Sequence, residues 1–423
     1  MNIVILGNGI SGITAARQIR KLSNHSITVL SDESTYFFAR TALMYVYMGH
    51  QRLQDMQPYE NWFWQKNKIQ LRQGRVESID YSHKQLIFND KQILNYDKLI
   101  IAVGSIPNRF DWAGQDLDGV HGLYHLSDLE AMERHTRNGL KQIVIVGGGL
   151  IGVEMAEMFH SRGLHVTFLV RENRFWGNVL PAEESNMIYR HLLKQGIDVR
   201  LNTELKSILD DGTGKCRAVI TNQGEEIPCQ FVGLTAGVRP NIDFLKHNSL
   251  KINRGIMVNA FLETNIPDIY AIGDCAEMEQ PQLGRRAIEA VWYTGRMMGE
   301  TVAYTICGKR IAYQPGIWFN SAKFFEIEYQ VYGDVSAQLK PQEATIYWEH
   351  PTQNKSIRLV FDKNSKQILG FNLMGIRYRQ EVCQKWIQAG TTIDNVLAQL
   401  HLANFDPEFF KVYEHHLLEK YRL

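Results

Sequence analysis

The stretch IVIVGGGLIGVEMAEMF at residues 143–159 has a counterpart near the start of the chain, where residues 3–19 are IVILGNGISGITAARQI. In both stretches four apolar residues are followed by glycines in the spacing G-x-G-x-x-G, and then by a run typical of a helix. The glycines are Gly7, Gly9 and Gly12 in the first stretch and Gly147, Gly149 and Gly152 in the second.

A strand that ends in this turn and leads into a helix is suited to hold a pyrophosphate. The first glycine permits the tight turn, the second lets the phosphate approach the backbone, and the third lets the helix pack on the strand. The backbone N–H groups and the positive end of the helix then stabilise the anion. The sequence therefore predicts two dinucleotide sites, and a purely structural turn is the alternative at each.

A carboxylate about 20 residues after such a turn binds the ribose hydroxyls of the nucleotide. After the first turn, Asp32 and Glu33 follow the predicted strand SITVLS, and Ser31 occupies the place where we expect the acidic residue. Asp32 is therefore a candidate ribose ligand, with Glu33 beside it.

After the second turn, Val170 occupies the corresponding place and Arg171 follows it. An arginine at this point accepts the 2′-phosphate of NADP, whereas Glu172, one residue further on, favours NAD. A solvated loop is the alternative interpretation of these charges. The choice between NADH and NADPH stays open.

Composition and charge exclude several classes of partner. The chain has 423 residues, enough for roughly two to four domains with a sizeable core. With 46 basic and 45 acidic residues it is nearly neutral, so we expect neither nucleic acid nor an anionic membrane as partner.

We see no apolar run approaching the length of about 18 residues that a transmembrane span needs. The strand-like start shows no secretory signal, so a cytoplasmic location is expected.

The cysteines lie far apart, with no C-x-x-C pair among them. This spacing argues against a metal site, an iron–sulfur cluster or a short-loop redox disulfide, and it suits a reducing cytosol. We therefore expect no bound metal. The cysteines are Cys216, Cys229, Cys275, Cys307 and Cys383.

Three further stretches extend the pattern. YDKLIIAVGSIPN at 96–108 and FVGLTAGVRPN at 231–241 resemble the exits from the first and second nucleotide domains of the pyridine nucleotide–disulfide oxidoreductases. TNIPDIYAIGDCAE at 264–277 resembles the T-x-x-P-x-h-Y-A-h-G-D-x-A motif of the same superfamily. Taken with the two glycine turns, these motifs cover residues 1–310 in the order of the superfamily.

The resemblance implies an α/β fold with two Rossmann-like dinucleotide-binding domains, for FAD and for NAD(P), and a C-terminal α+β interface domain. The implied boundaries are 1–112 and 246–310 for the discontinuous FAD-binding domain, 113–245 for the NAD(P)-binding domain and 311–423 for the interface domain. The C-terminal domain is rich in aromatic residues. We expect it to pack a core and a homodimer interface, and a docking surface for a redox protein is the alternative.

The resemblance also assigns site residues, among them Asp274 as the ligand of the FAD ribityl chain. The implied FAD residues are Gly7, Gly9, Ser11, Gly12, Asp32, Glu33, Arg40, Thr41, Val76, Ala102, Val103, Gly104, Gly273, Asp274, Glu289, Ala290 and Trp292. The implied NADH or NADPH residues are Gly147, Gly149, Leu150, Ile151, Gly152, Glu154, Arg171, Glu172, Gly237 and Val238. Catalytic roles fall on Glu154, Arg40, Tyr45 and Glu289.

The branch of the superfamily is decided by STYFFARTALMYVYMGH at 34–50. Thiol-dependent members carry one or two cysteines here, and this chain has Thr41 instead, so we do not expect thiol chemistry. Arg40 and Leu43 match the Y-x-R-P-x-L pattern of ferredoxin and rubredoxin reductases and of nitrite reductase large subunits. Tyr45 stands where the ferredoxin reductases have a lysine, so the acceptor cannot be copied from them.

The resemblance therefore implies an FAD-dependent oxidoreductase that takes a hydride from NAD(P)H and passes electrons to an acceptor. We expect a rubredoxin- or ferredoxin-like carrier. An NAD(P)H oxidase or quinone reductase is the first alternative. A redox-sensing flavoprotein or a subunit of a larger complex is the second.

Overall fold

The computed structural model describes residues 1–245, 249–405, 408 and 411–422. Its helices are α1 (Ile10–Leu22), α2 (Leu43–Tyr47), α3 (Asn61–Lys66), α4 (Leu126–Arg137), α5 (Leu150–Ser161), α6 (Ala182–Lys194), α7 (Trp292–Ile306), α8 (Gln380–Gln388), α9 (Ile393–Gln399) and α10 (Glu414–Arg422).

The strands fall into a first group up to residue 146 and a second group beyond it. The first group is β1 (Asn2–Leu6), β2 (Ser26–Ser31), β3 (Ile69–Gln73), β4 (Val76–Asp80), β5 (Gln85–Phe88), β6 (Ile93–Asn95), β7 (Lys98–Ile101), β8 (Ser105–Pro107), β9 (Val120–His121) and β10 (Gln142–Val146). The second group is β11 (His165–Val170), β12 (Asp198–Leu201), β13 (Leu205–Asp210), β14 (Cys216–Thr221), β15 (Glu226–Pro228), β16 (Phe231–Leu234), β17 (Val238–Pro240), β18 (Ile256–Val258), β19 (Ile269–Ala271), β20 (Ala276–Met278), β21 (Phe319–Phe324), β22 (Ile327–Gly333), β23 (Glu343–Glu349), β24 (Ser356–Asp362) and β25 (Ile368–Met374).

The chain divides into two compact units. Unit 1 comprises Met1–Asn108, Gly122–Arg137 and Gly237–Pro315. Unit 2 comprises Arg109–His121, Asn138–Ala236 and Gly316–Leu423. The first glycine turn thus belongs to unit 1, and the second belongs to unit 2 with the C-terminal sheet. The three-domain boundaries stay a prediction, and the boundary at residue 246 lies outside the described residues.

Unit 1 is built on a parallel sheet of five strands in the order β19-β7-β1-β2-β3. The apolar residues of the central strand β1 are buried, which explains why this strand is a continuous apolar run. Helix α1 carries the chain from β1 to β2 on one side, and β7 lies on the other side. The carboxyl end of β1 is therefore the point where the strand order reverses, which is where open α/β sheets bind ligands.

Unit 2 repeats this arrangement in a second parallel sheet, in the order β12-β11-β10-β16-β9. Here β10 is the central strand, α5 leads from it to β11, and β16 lies on its other side. The two sheets confirm the predicted α/β class with two Rossmann-like cores. No helix within the described ranges is long and apolar enough to cross a membrane.

The C-terminal part of unit 2 is an antiparallel sheet in the order β21-β22-β25-β24-β23. A buried ion pair ties this sheet to α6: Nε of Arg358 lies 2.7 Å from Oε1 of Glu184, and Nη2 lies 2.9 Å from Oε2. Both side chains are almost excluded from solvent. Removing one partner of such a pair is costly because the other charge is left buried and unpaired.

Candidate functional site

The first glycine turn leaves an open place at Gly9. A Cβ atom added to Gly7 would lie 2.1 Å from the carbonyl oxygen of Ala102, and one added to Gly12 would lie 2.0 Å from that of Gly7. A Cβ atom on Gly9 would meet nothing within 4 Å. Packing therefore requires glycine at the first and third positions, whereas the second faces free space.

The second turn has the same construction at Gly149. A Cβ atom on Gly147 would lie 2.7 Å from the carbonyl oxygen of Thr235, and one on Gly152 would lie 2.4 Å from that of Gly147. A Cβ atom on Gly149 would again meet nothing within 4 Å. Neither α1 nor α5 has a capping side chain at its first turn. An open glycine at an uncapped helix N-terminus fits a pyrophosphate, so both turns suit a dinucleotide.

The Asp274 carboxylate sits in a network that no local pattern signalled. The hydroxyl of Ser105 donates to Oδ2 of Asp274 over 3.0 Å, and that of Tyr124 donates to the same oxygen over 3.4 Å. The Ser105 N–H in turn donates to the Tyr124 hydroxyl over 2.9 Å. Burial raises the pKa of Asp274, and the two hydroxyl donors oppose that rise. Both bonds use one oxygen, which leaves Oδ1 to accept from a sugar-like hydroxyl.

Arg40 and Glu33, both predicted to contact FAD, lie against each other. Nη2 of Arg40 is 2.5 Å from Oε2 of Glu33. The Leu126 N–H donates to Oε1 of Glu33 over 2.7 Å, and the Arg40 guanidinium lies over the ring of Tyr124 at 4.8 Å. Burial opposes ionisation of Glu33, but hydrogen bonds from His125 and Arg40 outweigh it and lower the pKa of Glu33 to about 2. The pair is therefore charged at neutral pH.

Glu289 also has a partner inside the protein. Its Oε1 accepts from Nε of Arg285 over 2.6 Å, and its Oε2 accepts from the Thr294 hydroxyl over 3.1 Å. Glu289 is buried three residues before the start of α7. This arrangement gives Glu289 a role in fixing the turn that precedes α7.

The remaining predicted FAD residues lie in unit 1 at different depths. Ser11 is buried, and a Cβ atom on Gly273 would lie 2.4 Å from its hydroxyl oxygen, so Ser11 fills the space that this glycine leaves. The ring of Tyr45 stacks on His50. Buried with Ser11 are Val76, Ala102 and Gly273; Val103, Gly104 and Trp292 are partly buried; Asp32, Thr41 and Ala290 are exposed.

In unit 2, Leu150 and Ile151 begin α5, and Glu154 follows one turn later. The Glu154 side chain is partly buried and makes no hydrogen bond to any residue that the structure describes. Burial, followed by the charge of Glu157, raises the pKa of Glu154 to about 8. A protonated carboxyl is therefore held near the second glycine turn at neutral pH.

At the end of β11, Val170 is fully buried, and a Cβ atom on Gly148 would lie 2.9 Å from its Cγ2. The next residue, Arg171, is 70 % exposed, and its Nη2 lies 3.1 Å from Oε1 of Glu172. The guanidinium of Arg171 is thus open to solvent at the end of β11, and the Glu172 carboxylate beside it is partly buried.

Gly237 and Val238, predicted to contact NAD(P)H, belong to unit 1. There β17 pairs with β8, with Val238 opposite Pro107.

All five cysteines are free thiols. Burial raises the pKa of Cys216 and of Cys275 to about 12. These thiols are neutral at physiological pH, and a neutral thiol is a poor nucleophile.

Two parallel sheets, each with an open glycine turn at its switch point, are typical of the class of proteins that bind two dinucleotides. The sequence pattern of the pyridine nucleotide-disulphide oxidoreductase family matches residues 1–292, and the chain belongs to that family. Membership confirms the predicted superfamily. It also confirms the predicted class, an oxidoreductase that uses FAD and NAD(P)H.

Curated relatives carry several activities. The rubredoxin-NAD(+) reductase of Acinetobacter baylyi is 32 % identical over 283 residues, which are 65 % of this chain and 72 % of that protein. The NADH oxidase of Methanocaldococcus jannaschii is 30 % identical over 338 residues, 78 % of this chain and 75 % of that protein. The assimilatory nitrate reductase electron transfer subunit of Bacillus subtilis is 29 % identical over 371 residues, 87 % of this chain. The chain spans only 47 % of that subunit's length.

Proposed function

We propose that this protein oxidises NADH or NADPH and delivers the electrons to a small one-electron carrier protein such as rubredoxin. The observation that carries the proposal is the pair of open glycine turns in a chain with Thr41 where thiol-dependent members have cysteine. FAD, when bound, takes up a hydride and releases electrons singly. Thr41 carries no thiol, and burial keeps the Cys275 thiol neutral, so we infer that the electrons leave to an acceptor outside this chain, which we take to be the carrier.

Individual residues then have separate tasks. We infer that Gly9 admits the FAD pyrophosphate and that Asp274, oriented by Ser105 and Tyr124, accepts from the ribityl hydroxyls. Gly149 admits the NAD(P)H pyrophosphate. Glu154 presents a neutral carboxyl to the nicotinamide side of the second site, where a neutral group does not repel the phosphates as a carboxylate would.

Other residues that the family resemblance assigned to the flavin and nucleotide sites also have proposed roles. We propose Arg40, Tyr45 and Glu289 as residues that shape the flavin surroundings, with Arg40 and Glu289 each fixed by an ion pair. Gly237 and Val238 stay proposed nucleotide contacts. The C-terminal sheet stays the proposed interface for a second copy of the chain.

For the nucleotide, we propose that Arg171 decides how well NADPH is used. Val170 is buried and apolar, so the carboxylate that would repel a 2′-phosphate is missing from its usual place, and Arg171 is exposed beside it. Glu172 competes for the same guanidinium. NADPH binding therefore has to displace Glu172 from Arg171, whereas NADH binding does not.

The first experiment is an anaerobic titration of the yellow protein with NADH and then with NADPH, followed by flavin absorbance. Complete bleaching at one equivalent per flavin supports a flavin-only centre. Consumption of two equivalents of nucleotide per flavin would reveal a second redox centre. It would also refute the expectation that no cysteine takes part in the redox chemistry. No bleaching by either nucleotide would refute the proposed function.

The similarity to an NADH oxidase favours a second candidate, in which oxygen is the acceptor. The two candidates separate when the same enzyme is given NAD(P)H with rubredoxin under nitrogen, and then with oxygen alone. Rapid, salt-dependent reduction of rubredoxin supports the carrier. Fast oxygen consumption with slow rubredoxin reduction supports the oxidase.

A further inference from the structure

The hairpin between β21 and β22 has an unusual tip. Phe324 pairs with Ile327, which leaves Phe325 and Glu326 as a two-residue turn. Phe325 has a φ of 47°, the left-handed region that favours glycine or asparagine in such turns. A bulky residue in this conformation persists only where its surroundings hold it.

Phe325 is held by the helix that begins at the second glycine turn. Its N–H donates to Oε2 of Glu157 on α5 over 2.6 Å, and its ring lies 5.9 Å from that of His160 on the same helix. The ring also meets His191 of α6 edge-on at 5.6 Å. Phe325 is only 9 % exposed. Glu157 is three residues beyond Glu154, so the two carboxyls share one face of α5.

The neighbouring Phe324 reaches the other nucleotide element of unit 2. Its ring meets that of Trp176 edge-on at 6.2 Å, and Tyr329 of β22 lies 5.6 Å from the same indole. Trp176 belongs to the segment that follows β11 and carries Arg171. It also has a left-handed backbone, with φ of 53°, and its carbonyl accepts from the N–H groups of Val179 and Leu180.

Two adjacent phenylalanines on one strained turn thus contact the two elements that frame the second dinucleotide site. We propose that the tip of the C-terminal hairpin, Phe324–Glu326, positions α5 and the Trp176 segment for NAD(P)H, with Glu157 and Trp176 as the positioning residues that receive it. This inference rests on the proposed use of NAD(P)H at the second turn. It assigns to the C-terminal sheet a part in nucleotide affinity besides any interface role.

The test compares Glu157→Ala with Glu157→Gln, which keeps an oxygen that can accept from Phe325. The control is Glu349→Ala, which breaks the ion pair of Glu349 in β23 with Arg190 of α6. This contact joins the same sheet to α6, and it involves neither α5 nor the Trp176 segment. We measure the dissociation constants of NADH and NADPH by calorimetry, the KM and kcat values, the FAD content and the melting temperature.

We expect Glu157→Ala to raise the dissociation constant and KM for the nucleotide about three- to tenfold, the range typical of residues that couple a site to a distant contact. The kcat value and FAD content should stay within about twofold because the first turn is untouched. Glu157→Gln should restore part of the affinity, and Glu349→Ala should leave it unchanged. If Glu157→Ala does not fold, Phe325→Gly, which removes both the ring and the strain, should raise KM in the same way.

The outcomes separate this inference from the proposed function. Wild-type protein that binds neither nucleotide refutes the proposed function. Wild-type binding with unaltered affinity in Glu157→Ala and Phe325→Gly refutes the positioning role alone. Equal losses of nucleotide affinity in Glu157→Ala and Glu349→Ala also overturn the positioning role. They would show that the general packing of the C-terminal sheet, and not the tip of its hairpin, sets the affinity for NAD(P)H.

Discussion

The Glu154 and Glu157 carboxyls lie one helical turn apart on α5, and burial together with the Glu157 charge raises the pKa of Glu154 to about 8. Glu154 is thus protonated in the folded protein over a range where it is ionised in the unfolded chain. The stabilising effect of this protonation is complete below pH 4.5 and is lost as the pH rises through about 8.

Glu154→Gln keeps the shape of the neutral carboxyl and removes its titration. Between pH 4.5 and about 8, we expect the free energy of unfolding of the wild type to fall relative to that of the variant. The fall should be up to about 1.4 kcal/mol per pH unit. Urea unfolding at a series of pH values measures the difference. Glu204→Gln, the same substitution at an exposed site, is the control. Parallel curves for wild type and Glu154→Gln would place the pKa of Glu154 near its ordinary value.

Gly9→Ala and Gly149→Ala test the two turns separately. The backbone φ is −70° at Gly9 and −106° at Gly149, and an added Cβ meets no atom at either place, so both variants should fold. We expect Gly9→Ala to purify with little FAD. Gly149→Ala should keep FAD but raise the KM for NAD(P)H about tenfold or more, because the methyl group occupies the place of a charge-assisted phosphate hydrogen bond.

The third glycine of each turn provides the contrast. An added Cβ at Gly12 or Gly152 would collide with a backbone carbonyl, so these variants should lose about 1–3 kcal/mol or more of folding free energy. Flavin content and melting temperature distinguish the two kinds of variant. Gly9→Ala with full FAD content would show that this turn does not hold the flavin nucleotide.

Arg171→Ala tests nucleotide selection. A charge-assisted hydrogen bond to a 2′-phosphate is worth about 1.5 kcal/mol, so its loss should raise the KM for NADPH about tenfold relative to the KM for NADH. Steady-state kinetics with both nucleotides give the ratio. Glu172→Gln should move the ratio in the opposite direction by freeing Arg171. An equal change for the two nucleotides in Arg171→Ala would exclude Arg171 as the selecting residue.

The sequence predicted the turns well because their requirements are local. The run ISGITAARQIRKL forms α1 at Ile10–Leu22, and the second glycine of each turn, predicted to lie open, has nothing within 4 Å of an added Cβ atom. The network around Asp274 could not be predicted in the same way. Ser105 and Tyr124 lie 169 and 150 residues from it along the chain, so no local pattern records their approach.

The acidic residues after β2 show a second reason why the sequence alone does not predict the site. A carboxylate that follows a strand can bind a ribose or an arginine, and the sequence pattern is the same for both. The backbone N–H of Leu126, 93 residues away, helps to bind Glu33, and only the fold shows this. In the C-terminal sheet, aromatic density predicted a packed core, but not that Phe324 and Phe325 would contact different elements of the nucleotide-binding region.

The Arg40–Glu33 pair supports a last prediction. The side chains are 28 % and 13 % exposed, so Glu33→Gln leaves a guanidinium that is partly desolvated and without its charged partner. We expect a loss of about 1–3 kcal/mol of folding free energy at neutral pH.

Because the pKa of Glu33 is lowered to about 2, the contribution of its charge is present above pH 4.5 and is lost as the pH falls through about 2. The gap between wild type and Glu33→Gln should therefore narrow in acid. Denaturant unfolding of Glu33→Gln, Arg40→Met and the double variant gives the coupling energy, and additive losses would mean that the two residues stabilise the fold independently.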